Sequence, residues 1–250
     1  MKSGAARRRL DEEVVRRGLL ESRSRAKAFI LAGDVIVNGT PVRRAGATVQ
    51  EDDDLELRAK PRFVSRGGEK LAFALQAFNI PVAGRVAADL GASTGGFTDV
   101  LLQQGAERVY AIDVGYGQLD LKIRLDPQVV VMERTNARLL DALPEPVDIV
   151  TVDVSFISLR LIFPTIARIL RPGGSCVPLI KPQFEAGARD VGKGGVVRET
   201  ATHQRVLQEV LYAALEQFDV VGLVQSPLKG PSGNIEFLAH LRLREGTDGP

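Results

Sequence analysis

Residues 86 to 118, VAADLGASTGGFTDVLLQQGAERVYAIDVGYGQ, constrain the fold more than any other stretch of the chain. VAADLG reads as a short apolar strand running into a glycine turn, FTDVLLQQG as a helix, and VYAIDV as a second strand ending in an acid. These pieces predict a βαβ unit and, with it, a doubly wound α/β sheet. Ligands of such a sheet sit beyond the carboxyl ends of the strands, where Asp89, the turn from Gly91 to Gly96, and Asp113 converge. A carboxylate closing the second strand suits a ribose diol, because its oxygens accept both hydroxyl hydrogens.

Glycine spacing narrows the ligand. A pyrophosphate site normally uses GxGxxG, with helix amides facing the anion. Here the glycines are Gly91, Gly95 and Gly96, with Ser93 between them, and a second acid, Asp89, stands just before the turn. Two acids beside one pocket repel a pyrophosphate and suit a nucleoside carrying positive charge. The turn therefore predicts S-adenosylmethionine, whose sulfonium and ammonium are cationic, with a dinucleotide or an unliganded turn as the alternatives.

The 250 residues suffice for a full α/β core and a small appendage. Hydrophobic residues at 44% and charged residues at 26% are those of an ordinary soluble protein. No apolar run approaches the roughly 18 residues of a membrane span, and MKSGAARRRLDEE lacks the apolar segment of a signal peptide, so a cytoplasmic protein with no membrane partner is expected. Cys176, the only cysteine, lies in the apolar run CVPLI and reads as a core residue. His203 and His240 have no metal-ligand spacing. One is expected at the surface and the other in a strand, with no metal site.

Ahead of the α/β pattern, LDEEVVRRGL and SRSRAKAFILAG read as two short helices closed by Gly18 and Gly33. DVIVNGTPV follows as a hairpin turning at Asn38-Gly39. Within residues 1–30, nine Lys and Arg face four Asp and Glu, an excess that suits a phosphate backbone. This segment resembles the small RNA-binding domain shared by a small-subunit ribosomal protein, many pseudouridine synthases and some tRNA synthetases. The resemblance implies RNA contacts by Arg9, Ser22, Arg23, Arg25, Lys27 and Asn38. The acids of EDDDLEL then read as a solvated turn facing away from RNA.

A helix is expected from near Glu69, burying Leu71, Leu75 and Phe78, with Lys70 off that stripe and periodicity leaving it either a solvent lysine or a functional one. Further on, DIVTV is a strand ending at Asp153, and SCVPLI a strand ending at Lys181, so both side chains open on the rim that carries the cofactor turn. Asn136, in the loop after the third strand, is either a contact to an adenine edge or a turn former. EAGARDVGKGGVVRET has no strand or helix pattern and reads as a lid or binding loop, with Arg189, Lys193 and Arg198 placed to meet phosphate. Glu236 in the last strand is costly to bury and calls for a basic partner.

DLGASTGGF, DVSF, LIKPQFEAG and NIEF, taken with the basic amino-terminal module, resemble the TlyA, or haemolysin-A-like, family of ribosomal RNA methyltransferases. The catalytic domain of that family is similar to FtsJ 2'-O-methyltransferases. The resemblance implies a Rossmann-like class I methyltransferase sheet with a small α+β RNA-binding domain, acting on cytidine riboses of small-subunit and sometimes large-subunit ribosomal RNA. It implies a catalytic tetrad of Lys70, Asp153, Lys181 and Glu236, and cofactor contacts at Asp89, Gly91, Ser93, Gly95, Gly96, Asp113 and Asn136. Lys181 is expected at the reacting hydroxyl, held by Asp153 and Glu236, with Lys70 adding charge. Ribosomal RNA or subunits are the expected partner, and the sequence sets no oligomeric state. The other readings are a ribosome-assembly factor with a non-catalytic scaffold and a haemolysin. The expected layout is a flexible start at 1–6, the RNA-binding domain at 7–58, a linker at 59–65, the methyltransferase domain at 66–245 and a flexible tail at 246–250.

Overall fold

A computed structural model describes residues 7–20, 22–58 and 62–245. The expected flexible ends, residues 59–61 of the expected linker and the Arg25 side chain lie outside the described parts. The chain divides into two compact units, residues 1–61 and 62–250.

In the first unit, β1 (Arg8–Arg9) leads into α1 (Leu10–Arg16), followed by α2 (Arg23–Ala32), β2 (Val35–Val37), β3 (Thr40–Val42), β4 (Thr48–Val49) and β5 (Leu55–Leu57). Strands β3, β2 and β5 form one antiparallel sheet and β1 pairs with β4. Asn38 and Gly39 make the two-residue turn between β2 and β3, both with positive φ (49° and 76°), as a primed hairpin turn requires. Leu10, Val14, Ala26, Ile30, Val35, Val49 and Leu55 close a small core.

The second unit opens with α3 (Gly67–Ala77), β6 (Val86–Leu90), α4 (Gly96–Gln103), β7 (Arg108–Ile112), α5 (Leu121–Arg124) and β8 (Val129–Met132). It continues through β9 (Val147–Val152), α6 (Phe163–Ile169), β10 (Leu170–Ile180), α7 (Pro182–Glu185), α8 (Thr200–Ala214), β11 (Phe218–Gln225) and β12 (Phe237–Leu243). Seven strands form one sheet in the order β11-β12-β10-β9-β6-β7-β8. The pairs from β10 through β8 are parallel, and β12 runs antiparallel to both neighbours. The order reverses between β6 and β9, the switch point where the carboxyl ends of the strands leave a crevice. Every residue of β6 is buried, because apolar clusters cover both faces of the sheet.

Some expectations give way here. Phe63 is 3% exposed in the core and the Val64 amide donates to Asp99 Oδ2 (2.9 Å), so residues 62–65 pack as part of the second unit where a linker was expected. The stretch expected to lack regular structure starts at the last residue of α7 and carries a short 3-10 turn at Ala188–Asp190 and an isolated bridge between Gly192 and Val196. His203 is buried on α8 and hydrogen-bonds to the Val197 carbonyl (3.2 Å), so it is not a surface residue. His240 does lie in a strand, β12, where burial lowers its pKa. Cys176 is a core residue whose thiol pKa burial raises. Among the described residues no group of three or more His, Cys, Asp or Glu could hold a metal, and no helix is long and apolar enough to cross a membrane.

Candidate active site

The crevice at the switch point holds two adjoining cavities that share Gly91, Ser93, Asp153, Ser155 and Phe156. The narrower, of about 360 Å³, is bounded by the ends of β6, β7 and β9 and reaches Asp113, Gln118 and Asn136. Asp113 directly follows β7. Its carboxylate accepts from the Ser93 amide (2.8 Å) and the Gly115 amide (2.6 Å), which fixes its orientation and leaves lone pairs facing the cavity. The backbone at Gly91 has φ of +84°, and a Cβ there would stand 2.7 Å from the Asp153 carbonyl oxygen. Only glycine lets β6 and β9 converge this closely beside the cavity. Gly96 is equally constrained, since a Cβ would meet the Gly68 amide nitrogen at 3.1 Å. Asn136 lines the same cavity while its Oδ1 accepts from the Arg138 amide (3.0 Å), so it is a turn former as well as a cavity residue.

Asp89 departs from its expected place. It is fully buried beneath the turn and lines neither cavity. Thr98 Oγ1 donates to its Oδ2 (2.7 Å) and Thr151 Oγ1 to its Oδ1 (3.0 Å), and burial pushes its pKa up to about 7. The second carboxylate at the pocket is Asp153, because β6 is covered on both faces while Asp153 stands past the end of β9. Gly95 also sits behind the turn, against Leu119 and Ile123.

The wider cavity, of about 600 Å³, is lined by Lys70, Asp153, Lys181 and Glu236 together. Strand geometry delivers three of them: Asp153 follows β9, Lys181 follows β10, and Glu236 directly precedes β12. The fourth, Lys70, comes from the first turn of α3 and is 8% exposed, so it is not a solvent lysine. The four form two separate ion pairs. Lys181 Nζ lies 2.6 Å from Asp153 Oδ1 and donates to Ser155 Oγ (3.0 Å). Lys70 is paired with Glu236, which therefore does not hold Lys181. Glu236 has found the basic partner its burial demands, from 166 residues away in sequence.

Sequence reasoning passed over several residues at this cleft. Phe156 has a positive φ (64°), is 89% exposed, and packs in a tilted arrangement against Phe184, 4.8 Å between ring centroids, giving the wider cavity an aromatic wall. Asn234 is buried and spans the wall opposite: its Oδ1 accepts from the Val197 amide (2.9 Å) and its Nδ2 donates to the Gly195 carbonyl (2.8 Å). The DVSF and NIEF motifs, which contain Phe156 and Asn234, were the available signals.

In the amino-terminal unit, the basic side chains are less free than their count suggests. Asp11 and Glu13 on α1 are buried. Arg9 and Arg23 both donate to Asp11, which holds its carboxyl down at about 2, chiefly through Arg9. Glu13 is likewise held at about 2, chiefly by Arg16 and then Arg17. Asn38 is locked onto the acidic turn, donating to Asp53 Oδ1 (2.8 Å) and accepting from the Asp54 amide (2.8 Å), so that turn is not merely solvated. Lys27 is exposed on α2, and Ser22 Oγ lies 3.2 Å from Ser24 Oγ.

A doubly wound seven-stranded sheet with β12 antiparallel to both neighbours, a carboxylate after its second strand and a glycine turn at its switch point is the Rossmann-like fold of class I S-adenosylmethionine-dependent methyltransferases. Residues 63–243 match the family described as FtsJ-like methyltransferase, and residues 8–55 match the S4 domain. The chain belongs to the TlyA family, which joins these two domains. It is 47% identical over 243 residues to the 16S/23S rRNA (cytidine-2'-O)-methyltransferase TlyA of Mycobacterium tuberculosis, spanning 95% of this chain and 91% of that one. A solved structure of a candidate hemolysin from Streptococcus thermophilus is 44% identical, covers 97% of this chain and 90% of that one, and superposes with a TM-score of 0.75. The N-methyltransferase NodS of Bradyrhizobium japonicum, at 19% identity and a TM-score of 0.51 over 72% of this chain and 99% of that one, shares the fold.

The residues of the narrower cavity fit S-adenosylmethionine. Asp113 would offer the ribose diol a pre-oriented acceptor, Gly91 and Ser93 would bring backbone close, and Asp153 would set a negative charge beside the cationic part.

Proposed function

We propose that this chain methylates the ribose 2'-hydroxyl of a cytidine in small-subunit ribosomal RNA, with large-subunit RNA as a second target. The observation that carries the reading is the convergence of Lys70, Asp153, Lys181 and Glu236 on one cleft that opens into the Asp113 cavity. The relative from Mycobacterium tuberculosis, which carries that activity in its name, supplies the substrate class. A ribose hydroxyl is a weak nucleophile at neutral pH, so its protein partners must orient it and stabilise the developing oxyanion. When bound, the cofactor supplies an already activated sulfonium methyl. Lys181, ion-paired with Asp153 and hydrogen-bonded to Ser155, keeps a donor for the hydroxyl oxygen, and the Lys70–Glu236 pair fixes the far wall. The Phe156–Phe184 pair presents ring faces on which a nucleobase can stack while its ribose enters the cleft.

Lys181→Ala tests the assignment. It should bind cofactor and RNA within a few fold of the parent yet lose on the order of 100-fold or more in single-turnover methyl transfer, having lost a contact made chiefly in the transition state. Lys181→Arg should restore little, because a rigid fork replaces a compact ammonium. A Lys181→Ala protein with the full single-turnover rate would refute the site.

A further inference from the structure

Among the described residues, Ser155 supplies the one hydroxyl hydrogen-bonded to Lys181, and it stands where the two cavities meet, lining both. It follows Asp153 and Val154 just past the end of β9, so the same strand end supplies Lys181 with a carboxylate and a hydroxyl. An ammonium has three hydrogens in fixed tetrahedral directions and no acceptor. Ser155 Oγ at 3.0 Å accepts one of them, while Asp153 Oδ1, 2.6 Å from Nζ, is an ion-pair partner. That hydrogen bond and the Cε–Nζ bond together set the directions of the remaining N–H groups. Without it, the ammonium can turn about the Cε–Nζ bond beside Asp153.

From this geometry we infer that Ser155 is a positioning residue for methyl transfer, acting through Lys181 to aim its remaining N–H at the incoming hydroxyl. The inference rests on the proposed role of Lys181. A serine hydroxyl that has accepted from Lys181 retains its own O–H and one lone pair, so it also has the capacity to keep a water or the substrate hydroxyl in line at the cavity junction. Its backbone neighbour Phe156 has a left-handed conformation (φ 64°), which turns the chain sharply just after Ser155 and leaves both side chains exposed to the cleft.

The test is a double-mutant cycle on the full chain, with ribosomal subunits from cells lacking the enzyme as RNA substrate. Ser155→Ala should lower the single-turnover rate roughly ten- to a hundredfold, the loss of a hydrogen bond to a charged group, with the RNA KM and cofactor Kd unchanged within about twofold. Ser155→Thr, which keeps the hydroxyl, should recover most of the rate. In a Lys181→Ala background, Ser155→Ala should cost almost nothing further, since the group it acts through is gone. Three results would overturn the inference: a Ser155→Ala enzyme of parental rate, a weakened cofactor Kd that makes Ser155 a cofactor contact, or full additivity of the two substitutions. Lys181→Ala at the parental rate would instead overturn the underlying reading of the cleft, whatever Ser155 does.

Discussion

Glu236→Ala separates the structural from the chemical role of the buried pair. In the parent, Glu236 is 1% exposed and Lys70 10% exposed at the side chain, and each is the other's charge partner. Removing the carboxylate leaves an ammonium in a desolvated position, a change that costs about 3–5 kcal/mol when a buried pair loses one member. For a domain of this size each kcal/mol moves Tm by roughly 2–4 °C, so the variant should melt roughly 6–20 °C lower. The double variant Lys70→Met with Glu236→Leu removes both charges and should recover most of that loss, since a well-packed apolar pair can equal a buried ion pair in stability. It should not recover methyl transfer, because both positions line the cleft. Thermal unfolding followed by far-ultraviolet circular dichroism, with cofactor titration at 25 °C as a check of folding, measures both effects. A Glu236→Ala protein melting within a degree of the parent, or a double variant less stable than the single, would refute the reasoning.

Other perturbations follow from the same geometry. Gly91→Ala places a Cβ 2.7 Å from the Asp153 carbonyl at a φ of +84° and should weaken cofactor binding roughly five- to a hundredfold by calorimetry, with backbone strain of roughly 1–3 kcal/mol as the source. Asp89 has a folded-state pKa of about 7, above its ordinary 3.8, so the stability it contributes is fully present below about pH 4 and is lost as pH rises through 7. Asp89→Asn should remove that dependence, and urea unfolding at a series of pH values should show the parent losing ground to the variant between pH 4 and 7. A chain beginning at Arg62 should keep its cofactor affinity, while its affinity for ribosomal RNA and the salt dependence of binding both fall, as filter binding over a salt series would show.

Much of the second unit was legible because its strands announce their ends. Asp153 and Lys181 each close an apolar run, and a charged residue in that position of a parallel sheet has few places to go but the carboxyl-end rim. Lys70 was harder, because helical periodicity reports which face packs on the sheet and is silent on a first-turn residue aimed at the rim; its partner is distant in sequence. Asp89 misled for the opposite reason. When both faces of a strand are buried, alternation no longer distinguishes a residue under the turn from one beside the ligand, and its partners Thr98 and Thr151 come from α4 and β9. The basic amino-terminal module was legible as a fold from its helix stops and its Asn-Gly turn, but charge counting could not show that Asp11 and Glu13 are buried and already engage Arg9, Arg16, Arg17 and Arg23.

The central claim is that the two ion pairs and the Asp113 cavity serve transfer to a ribose oxygen. The direct measurement uses labelled S-adenosylmethionine with ribosomal subunits from cells lacking the enzyme, followed by nuclease digestion and mass spectrometry of the labelled nucleoside. The account predicts label on the 2'-oxygen of a cytidine, appearing with the parent enzyme and absent with Lys181→Ala. Label on a base nitrogen or carbon, or an undiminished ribose product with Lys181→Ala, would contradict it.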